Sequence, residues 1–511
     1  MKKGKKKSSS SKNKEQIRIA LLLFIILFLI VVVLITSINI HKKEPQKEEI
    51  KYFTGNLYSA NRAANMIDYI DTSSNKLISP LNIDTGLAIL YNGTDNNSTK
   101  ELKSYFKKNY KDINSDMKEK LSSLNKTSST DEKFKQIYEN YIKELENNYY
   151  HELTISKISN FNQTEKSKLQ VLLKKIELSY ERMTYQNELT EKNISNYAIS
   201  EKDLISNEYT LKSMLDDVLY NYELYKISNK VTNYNELFTN NKLNDKNINN
   251  EYLDNIEHYK FNINSIDFSN SKEAINIINN KIKEISMNEI NRVVEEKDLI
   301  NNDYIMINSL NFNYEWNTPI KSSYVLNKEF YNYNNKVSVV DMMYIKEKDT
   351  IYLENDYATG FIKDFKNKDY SFVGILPKNY DDVPISSLDL ENLLQSKKQD
   401  SLLIGIPKFN IQYELDITEL LKNYNIHELF TNKSNFSKIS DEKINIKKNI
   451  QKVNIIIDEK GTVENTISLK NMENIEIEEF KKEVILNRPF AFLIINNYTN
   501  DIIFIGKVNE I

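Results

Sequence analysis

The chain has no cysteine among its 511 residues, so it can form no disulfide, offers no thiolate nucleophile and has no thiolate ligand for a metal. Histidine is nearly as scarce. His41, His151, His258 and His427 are the only four, and no two lie at metal-ligand spacing, so no metal site is expected. The nine glycines fall at Gly4, Gly55, Gly86, Gly93, Gly360, Gly374, Gly405, Gly461 and Gly506, and neither G-x-G-x-x-G nor G-x-x-x-x-G-K can be written from them. A G-x-S-x-G elbow is missing as well, which removes hydrolases of that kind. No constellation of nucleophile, base and oxyanion donors can be assembled from what remains. The chain is therefore not read as an enzyme, and no cofactor is expected.

A basic body is also lacking. Residues 1–18 carry eight Lys or Arg side chains against the single Glu15, which leaves the other 493 residues at a net charge of −10. A nucleic-acid partner, which would need a basic face, is not expected. The basic head precedes Ile19–Ile38, a run that is apolar apart from Thr36 and Ser37, and a helix of that length rises about 30 Å, the thickness of a hydrocarbon core. This is read as a transmembrane helix over 19–40. A cleavable signal peptide is the alternative, but its apolar region is usually about 7–15 residues long and ends at small residues, whereas Ile35-Thr36-Ser37-Ile38-Asn39 is a poor cleavage site. With the basic head on the near side, residues 1–18 are expected in the cytosol, 41–51 as a charged linker, and 52–511 as an extracellular domain on a single-pass anchor in the cell membrane.

From Thr94 to Thr318 there is no glycine or proline, so helices can run without intrinsic breakers. Phe134, Ile137, Tyr138, Tyr141, Ile142 and Leu145 form one stripe at spacings of three and four; Leu169, Leu172, Leu173, Ile176, Tyr180 and Met183 form another. Both predict packed helix faces. The second half turns to short runs rich in β-branched and aromatic residues, such as Val337–Val340, Tyr370–Leu376, Asn454–Ile457, Ala491–Ile495 and Ile502–Ile505, which read as strands. Helices early and strands late predict an α+β fold.

The stretch Ile78-Ser79-Pro80-Leu81-Asn82, continuing through Gly86 to Gly93 with Ser98 and Glu101-Leu102 beyond, resembles the pattern that opens the second helix of the serpins. Further motifs follow in that family's order: Ile307-Asn308-Ser309-Leu310-Asn311-Phe312 with Trp316 and Pro319; Phe330, Val337–Val339 and Met342-Met343; then Ile406-Pro407-Lys408-Phe409-Asn410-Ile411. Near the end, Ile457-Asp458-Glu459-Lys460-Gly461-Thr462 resembles the proximal hinge of the reactive loop. Leu486-Asn487-Arg488-Pro489-Phe490 and Phe504-Ile505-Gly506-Lys507-Val508 resemble the C-terminal signature. The resemblance covers roughly 52–110 and 226–511. It implies a serpin-like fold of about nine helices and three β-sheets with an exposed reactive loop, and the stretch from Lys103 to Tyr225 is far longer than family members have there. A helical insertion is accordingly expected within roughly 111–225.

The resemblance also implies a function. A serpin is a substrate trap: an endopeptidase cuts the loop, and the cut loop inserts into the main sheet and carries the acyl-enzyme with it. The partner would be a protease of serine type, with cysteine type left open. The implied hinge is Glu459, Gly461, Thr462, Glu464, Thr466 and Ser468; the implied shutter and sheet-top residues are Ser79, Asn82, Asn308, Gln451 and Trp316. Asn82 stands where the family usually has Ser. The hinge runs Val463-Glu464-Asn465-Thr466-Ile467-Ser468 where the family's inhibitors carry small residues. Counting from Gly461 by the family's loop length places the scissile bond at Ile475–Glu476, and counting back from Asn487 places it at Glu478–Glu479. Hydrophobic alternation alone would bury the face of Val463, Asn465, Ile467 and Leu469. The resemblance turns Thr462 and Glu464 inward instead, and a buried Glu464 would slow insertion. A non-inhibitory serpin-fold surface protein that binds through the helical insertion is the alternative function.

Overall fold

The computed structural model describes residues 58–462 and 482–511, apart from short stretches at 71–72, 125–128, 150–152, 186–188, 201–202, 204–206, 228–229, 242–246, 286–291, 301, 303, 380–382, 445 and 447. The apolar run Ile19–Ile38 lies outside the described residues. Among the described residues no helix is long and apolar enough to cross a membrane.

The chain begins with four helices, α1 (Tyr58–Asp68), α2 (Pro80–Gly93), α3 (Asn96–Phe106) and α4 (Tyr110–Ser123). α2 starts sharply because the Ser79 hydroxyl accepts the Asn82 N–H at 3.3 Å and Pro80 occupies the first turn, where its missing N–H costs nothing. Every residue of α2 is buried, as its largely apolar circumference requires. Arg62 of α1 grips Asp84 of α2 through two hydrogen bonds of 2.6 and 2.7 Å.

Five helices follow: α5 (Ser129–Tyr149), α6 (Ile155–Ser159), α7 (Gln163–Tyr185), α8 (Glu191–Ser195) and α9 (Glu208–Ile227). They build their own core. Tyr138, Ile142 and Leu145 of α5 meet Leu169, Leu172, Leu173 and Ile176 of α7 and Leu211, Leu215 and Val218 of α9. The expected insertion began near residue 111, but α4 packs on the body instead: Asn92 and Asn114 exchange side-chain hydrogen bonds of 2.8 Å, and Tyr259 Oη donates to Asn114 Oδ1.

Fourteen strands form two sheets among the described residues. The first holds β1 (Lys76–Ile78), β14 (Ile502–Val508), β13 (Phe490–Asn496), β8 (Tyr370–Pro377), β7 (Ala358–Asp364), β6 (Val337–Glu354), β9 (Lys398–Pro407) and β12 (Glu483–Ile485) in that order, with β5 (Val325–Tyr331) paired on β6. β13 and β14 are buried at every residue, which is why they read as continuous apolar runs. Three sheets were expected. The 18-residue β6 passes through what would be two of them, and its register with β9 shifts between Glu347 and Thr350, so hydrogen bonding joins them into one. The second sheet has the order β10 (Phe409–Asp416), β11 (Lys448–Ile457), β4 (Tyr304–Asn313), β2 (Lys230–Asn240), β3 (Phe261–Ile266). After β2 come α10 (Asn250–Ile256) and α11 (Ser271–Ile285). Ala274, Ile278 and Ile282 of α11 cover Phe238, Ile305, Ile307 and Ile450 on one face of this sheet, and α2 covers the other, where a Cβ on Gly86 would stand 2.8 Å from Asn308 Nδ2. Outside the α5–α9 group nine α-helices remain among those described.

Candidate functional site

β4 and β11 are parallel neighbours with no strand between them. Their ladder runs from Lys448–Ile305 to Lys452–Ser309 and stops there. Residues of odd number on β4 face α11 and those of even number face α2, while on β11 the parity is reversed, as Ile307 and Ile450 against α11 and Asn308 against Gly86 establish.

The laddered end is clasped to α2. Gln451 Oε1 accepts the Ser79 N–H at 3.0 Å, while Gln451 Nε2 donates to Ser79 O at 2.9 Å and to Asn82 Oδ1 at 3.2 Å. Asn82 Nδ2 in turn donates to Asn233 Oδ1 of β2 at 2.8 Å. The longer side chain at position 82 thus links α2 to β2 as well as to β11. Asn308 does not join this cluster; it donates to Asn449 Oδ1 at 2.6 Å, bridging β4 to β11 directly. Asn233 and Asn449 were missed in the sequence. Asn449 lies two residues before Gln451 on the same face of a strand, and that alternation was the available signal.

At the other end the chain leaves β11 in a tight turn. Asp458 N–H donates to Gly461 O at 2.9 Å, and Asp458 Oδ1 accepts the N–H groups of Lys460 and Gly461 at 2.7 and 3.1 Å. Gly461 sits at φ +134°, and a Cβ there would lie 2.2 Å from Tyr314 O, so no other residue fits. Gly461 bridges Glu315 in antiparallel fashion, and Thr462 N–H donates to Tyr314 O at 2.8 Å. The Thr462 hydroxyl accepts the Tyr314 N–H at 2.8 Å and lies 3.1 Å from Phe312 O. Thr462 is 3% exposed and lies alongside the end of β4, heading back toward the ladder.

Trp316 holds this turn from above. Its indole N–H donates to Asp458 O at 2.8 Å, its ring stacks on Phe365 at 4.5 Å, and its backbone N–H donates to Lys460 O at 2.7 Å. Lys363 Nζ lies over the same ring at 5.4 Å; burial lowers its pKa although Glu347 at 3.3 Å opposes the shift. Glu459 pairs with Lys408 at 2.5 Å. Burial works to raise the Glu459 carboxyl, but the Lys408 hydrogen bond and charge prevail and hold it below the usual range. Asp458 is pushed the other way: burial raises it, with the Glu459 charge adding, against the two backbone N–H groups and Lys408.

Between hinge and ladder, Leu310–Asn313 and Val453–Ile457 share no rung. Their α2 side is apolar, with Leu310, Phe312, Val453, Ile455 and Ile457 all buried. On the α11 side stand Asn311, Asn313 and Asn454, also buried, and the side-chain oxygens of Asn311 and Asn313 have no hydrogen-bond partner. The structure therefore brings Glu459, Gly461, Thr462 and Trp316 together at one end of a slot, and Ser79, Asn82, Asn308 and Gln451 at the other. Glu464, Thr466, Ser468, Ile475, Glu476, Glu478 and Glu479 lie outside the described residues. Among those described, no group of His, Asp or Glu is arranged to hold a metal.

The family description "Serpin (serine protease inhibitor)" matches residues 188–511. Serpin B5 of Xenopus tropicalis is 26% identical over 266 residues, 49% of this chain and 69% of that protein. Plasminogen activator inhibitor 1 of Sus scrofa is 26% identical over 266 residues, 49% of this chain and 65% of that protein. In fold the chain is similar to the thermophilic serpin tengpin in its native state, with a TM-score of 0.60 at 23% identity, covering 89% of this chain and 94% of that one. It is also similar to thyroxine-binding globulin in complex with thyroxine, with a TM-score of 0.57 at 16% identity, covering 88% and 96%.

Proposed function

The chain belongs to the serpin family, and from that premise we propose that it inhibits serine-type endopeptidases as a suicide substrate, its cut loop entering the slot between β4 and β11. As a serpin it is not an enzyme, and its family acts on proteases. The observation that carries the reading is the seat of Thr462: the residue after the hinge glycine already hydrogen-bonds to β4 through both backbone and side chain, antiparallel to it. Insertion extends that pairing, adding main-chain hydrogen bonds on both sides. The cut falls at Ile475–Glu476 or Glu478–Glu479, and residues 129–227 are an insertion in the serpin body. The reading further places the domain outside the cell, held by residues 19–40 with 1–18 in the cytosol and 41–51 as linker. Cysteine-type proteases are a second target class.

The test is to incubate the chain with a panel of serine and cysteine proteases and look for a complex that survives denaturant. A covalent complex with at least one serine protease is expected. Loop cleavage should also raise thermal stability and change the emission of Trp316, the only tryptophan. Cleavage that leaves both unchanged rejects insertion. It would favour a second reading, a non-inhibitory binding protein, which the separate core of α5–α9 and the acidic Glu464 support. For the topology, protease added to intact cells should remove the mass from residue 41 onward, and protection of that mass rejects the anchor.

A further inference from the structure

The turn at Asp458–Gly461 is gripped by the segment that follows β4. Three hydrogen bonds from 316–320 take three consecutive carbonyls of the turn: Trp316 Nε1 donates to Asp458 O at 2.8 Å, the Ile320 N–H to Glu459 O at 2.8 Å, and the Trp316 N–H to Lys460 O at 2.7 Å. This clamp lies between β4 and β5, outside both strands, so no continuous ladder fixes it. Its backbone meets the end of β7 at the Trp316–Phe365 bridge and through the Asn317 N–H, which donates to Asp364 O at 3.0 Å. Against its side chains stands Lys363 of β7, 3% exposed. Lys363 Nζ lies 5.4 Å from the centre of the Trp316 ring, 3.4 Å from Thr318 O and 3.3 Å from Glu347 Oε1. One ammonium therefore touches the clamp at two residues, while Glu347 secures it from β6, beside the shift in register between Glu347 and Thr350.

A buried ammonium is a costly way to fill this place. Its contacts to Thr318 and Glu347 are long, the Glu347 side chain is 34% exposed, and β8 presents Phe372 as the cross-strand neighbour. An apolar side chain of the same length would be at least as stable there. Burial lowers the Lys363 pKa although the charges of Glu347 and Asp364 oppose the shift, so the fold gains stability as pH rises from the lowered value to the ordinary lysine one. What the charge adds is direction, because an ammonium is drawn to an indole face and to a carbonyl oxygen and an apolar chain to neither. We infer that Lys363 is a positioning residue for the hinge: its ammonium holds Trp316 and Thr318, and through them the Asp458–Gly461 turn and the seat of Thr462, at a cost in global stability. The inference concerns the uncut chain, so it stands or falls separately from protease trapping.

The two halves of this inference pull apart in one variant of the full chain. Lys363→Met should melt no lower than wild type, yet the amides of Trp316, Ile320 and Thr462, whose hydrogen bonds run to Lys460, Glu459 and Tyr314, should exchange about ten-fold faster. The amides of β13 and β14 should keep their rates. A second arm uses Trp316, the only tryptophan, as a reporter during alkaline titration. In wild type its emission should change in a step below the ordinary lysine range, as Lys363 loses its proton, before the broad tyrosine step near about pH 10. Lys363→Met should lack the first step and keep the second. Glu347→Gln removes a carboxylate that favours the charged form, so it should move the first step to lower pH. Unchanged exchange at the three amides in Lys363→Met, an emission step that survives in that variant, or a step that Glu347→Gln leaves in place overturns the inference. So does Lys363→Met that fails to fold, or that melts lower with all amides quickened together, since that is the behaviour of a merely structural lysine. Absence of protease trapping by wild type would reject the inhibitory reading and leave these outcomes to decide the role of Lys363.

Discussion

The two ends of the seam between β4 and β11 are built from the same strands and behave as opposites. From Lys448 to Lys452 the strands share rungs, Asn308 reaches Asn449, and Gln451 binds both backbone groups of Ser79. Beyond Lys452 the rungs between the two strands cease and Thr462 occupies the far end, while buried asparagine atoms without a partner occur at both ends, Asn311 and Asn313 Oδ1 at this one and Asn308 Oδ1 and Asn449 Nδ2 at the ladder. Satisfying a buried backbone group holds a strand in place, whereas withholding a partner leaves free energy to be gained by whatever enters. One end is a clasp and the other an open seam, and a loop inserting from the hinge, as proposed, would fill the open seam before it met the clasp.

The sharpest way to break that contrast is to charge the entrance. Thr462→Arg would place a guanidinium against Tyr314 and Phe312, where the hydroxyl now fits between a backbone N–H and a carbonyl. An unpaired buried charge costs about 3–5 kcal/mol, so protease should be released rather than trapped, by a factor of roughly a hundred or more. Trapping at the wild-type ratio, read from the proportion of covalent complex to cleaved chain, would mean that this end is not the entrance.

Loosening the clasp should have the next largest effect. Gln451→Leu strands the N–H and C=O of Ser79 and one partner of Asn82, a loss of about 2–3 kcal/mol. Hydrogen exchange at 448–452 should then quicken roughly thirty- to a hundred-and-sixty-fold, while exchange at 310–313, whose rungs are to β2 and not to β11, changes little. Equal acceleration in both stretches would erase the distinction between the two ends.

Much of this was legible in the sequence, for reasons that differ by residue. β13 and β14 are buried throughout, so their runs announced themselves, and the motifs around Ser79, Trp316 and Gly461 carried the family resemblance and with it the fold. The partners of those residues were not legible. Asn82 meets Asn233 across 151 positions and Ser79 meets Gln451 across 372, and polar pairs at such separations leave no local periodicity. The division between α4 and the α5–α9 group was hidden as well: both sides are helical and free of glycine and proline, and only the Asn92–Asn114 exchange shows that α4 belongs with the body.

The third test asks which face of the loop turns toward α2. If the loop inserts as proposed and continues antiparallel from Gly461, Glu464 would fall between Phe312 and Ile455, both at most 3% exposed. Glu464→Ala removes a carboxyl that must be desolvated or protonated, a relief of about 1–3 kcal/mol, so the trapped share should rise several-fold. If the Val463 face turned inward instead, this change would stay within about 0.5 kcal/mol, and Ile467→Arg would be the damaging substitution.

The smallest effect expected comes from acid at the hinge turn. Burial raises the Asp458 carboxyl, with Glu459 adding and the N–H groups of Lys460 and Gly461 and the charge of Lys408 opposing. The turn that buries it therefore binds a proton more readily than a chain in which Asp458 is open to water. By linkage the turn gains stability as pH falls through the raised value; the gain is complete below the ordinary carboxyl value and is lost as pH rises through the raised one. Glu459 shifts oppositely: its depressed carboxyl contributes stability above the ordinary value, and this is lost as pH falls through the lowered one. Trp316 reads the balance, because its indole N–H is bonded to Asp458 O. In wild type its emission should shift slightly as pH is lowered toward the raised Asp458 value, and Asp458→Asn should flatten that change while leaving the lower-pH change from Glu459. A titration that is identical in Asp458→Asn would assign the acid response of the hinge to Glu459 and Lys408 alone, and the turn would then be held by its backbone hydrogen bonds regardless of the charge on Asp458.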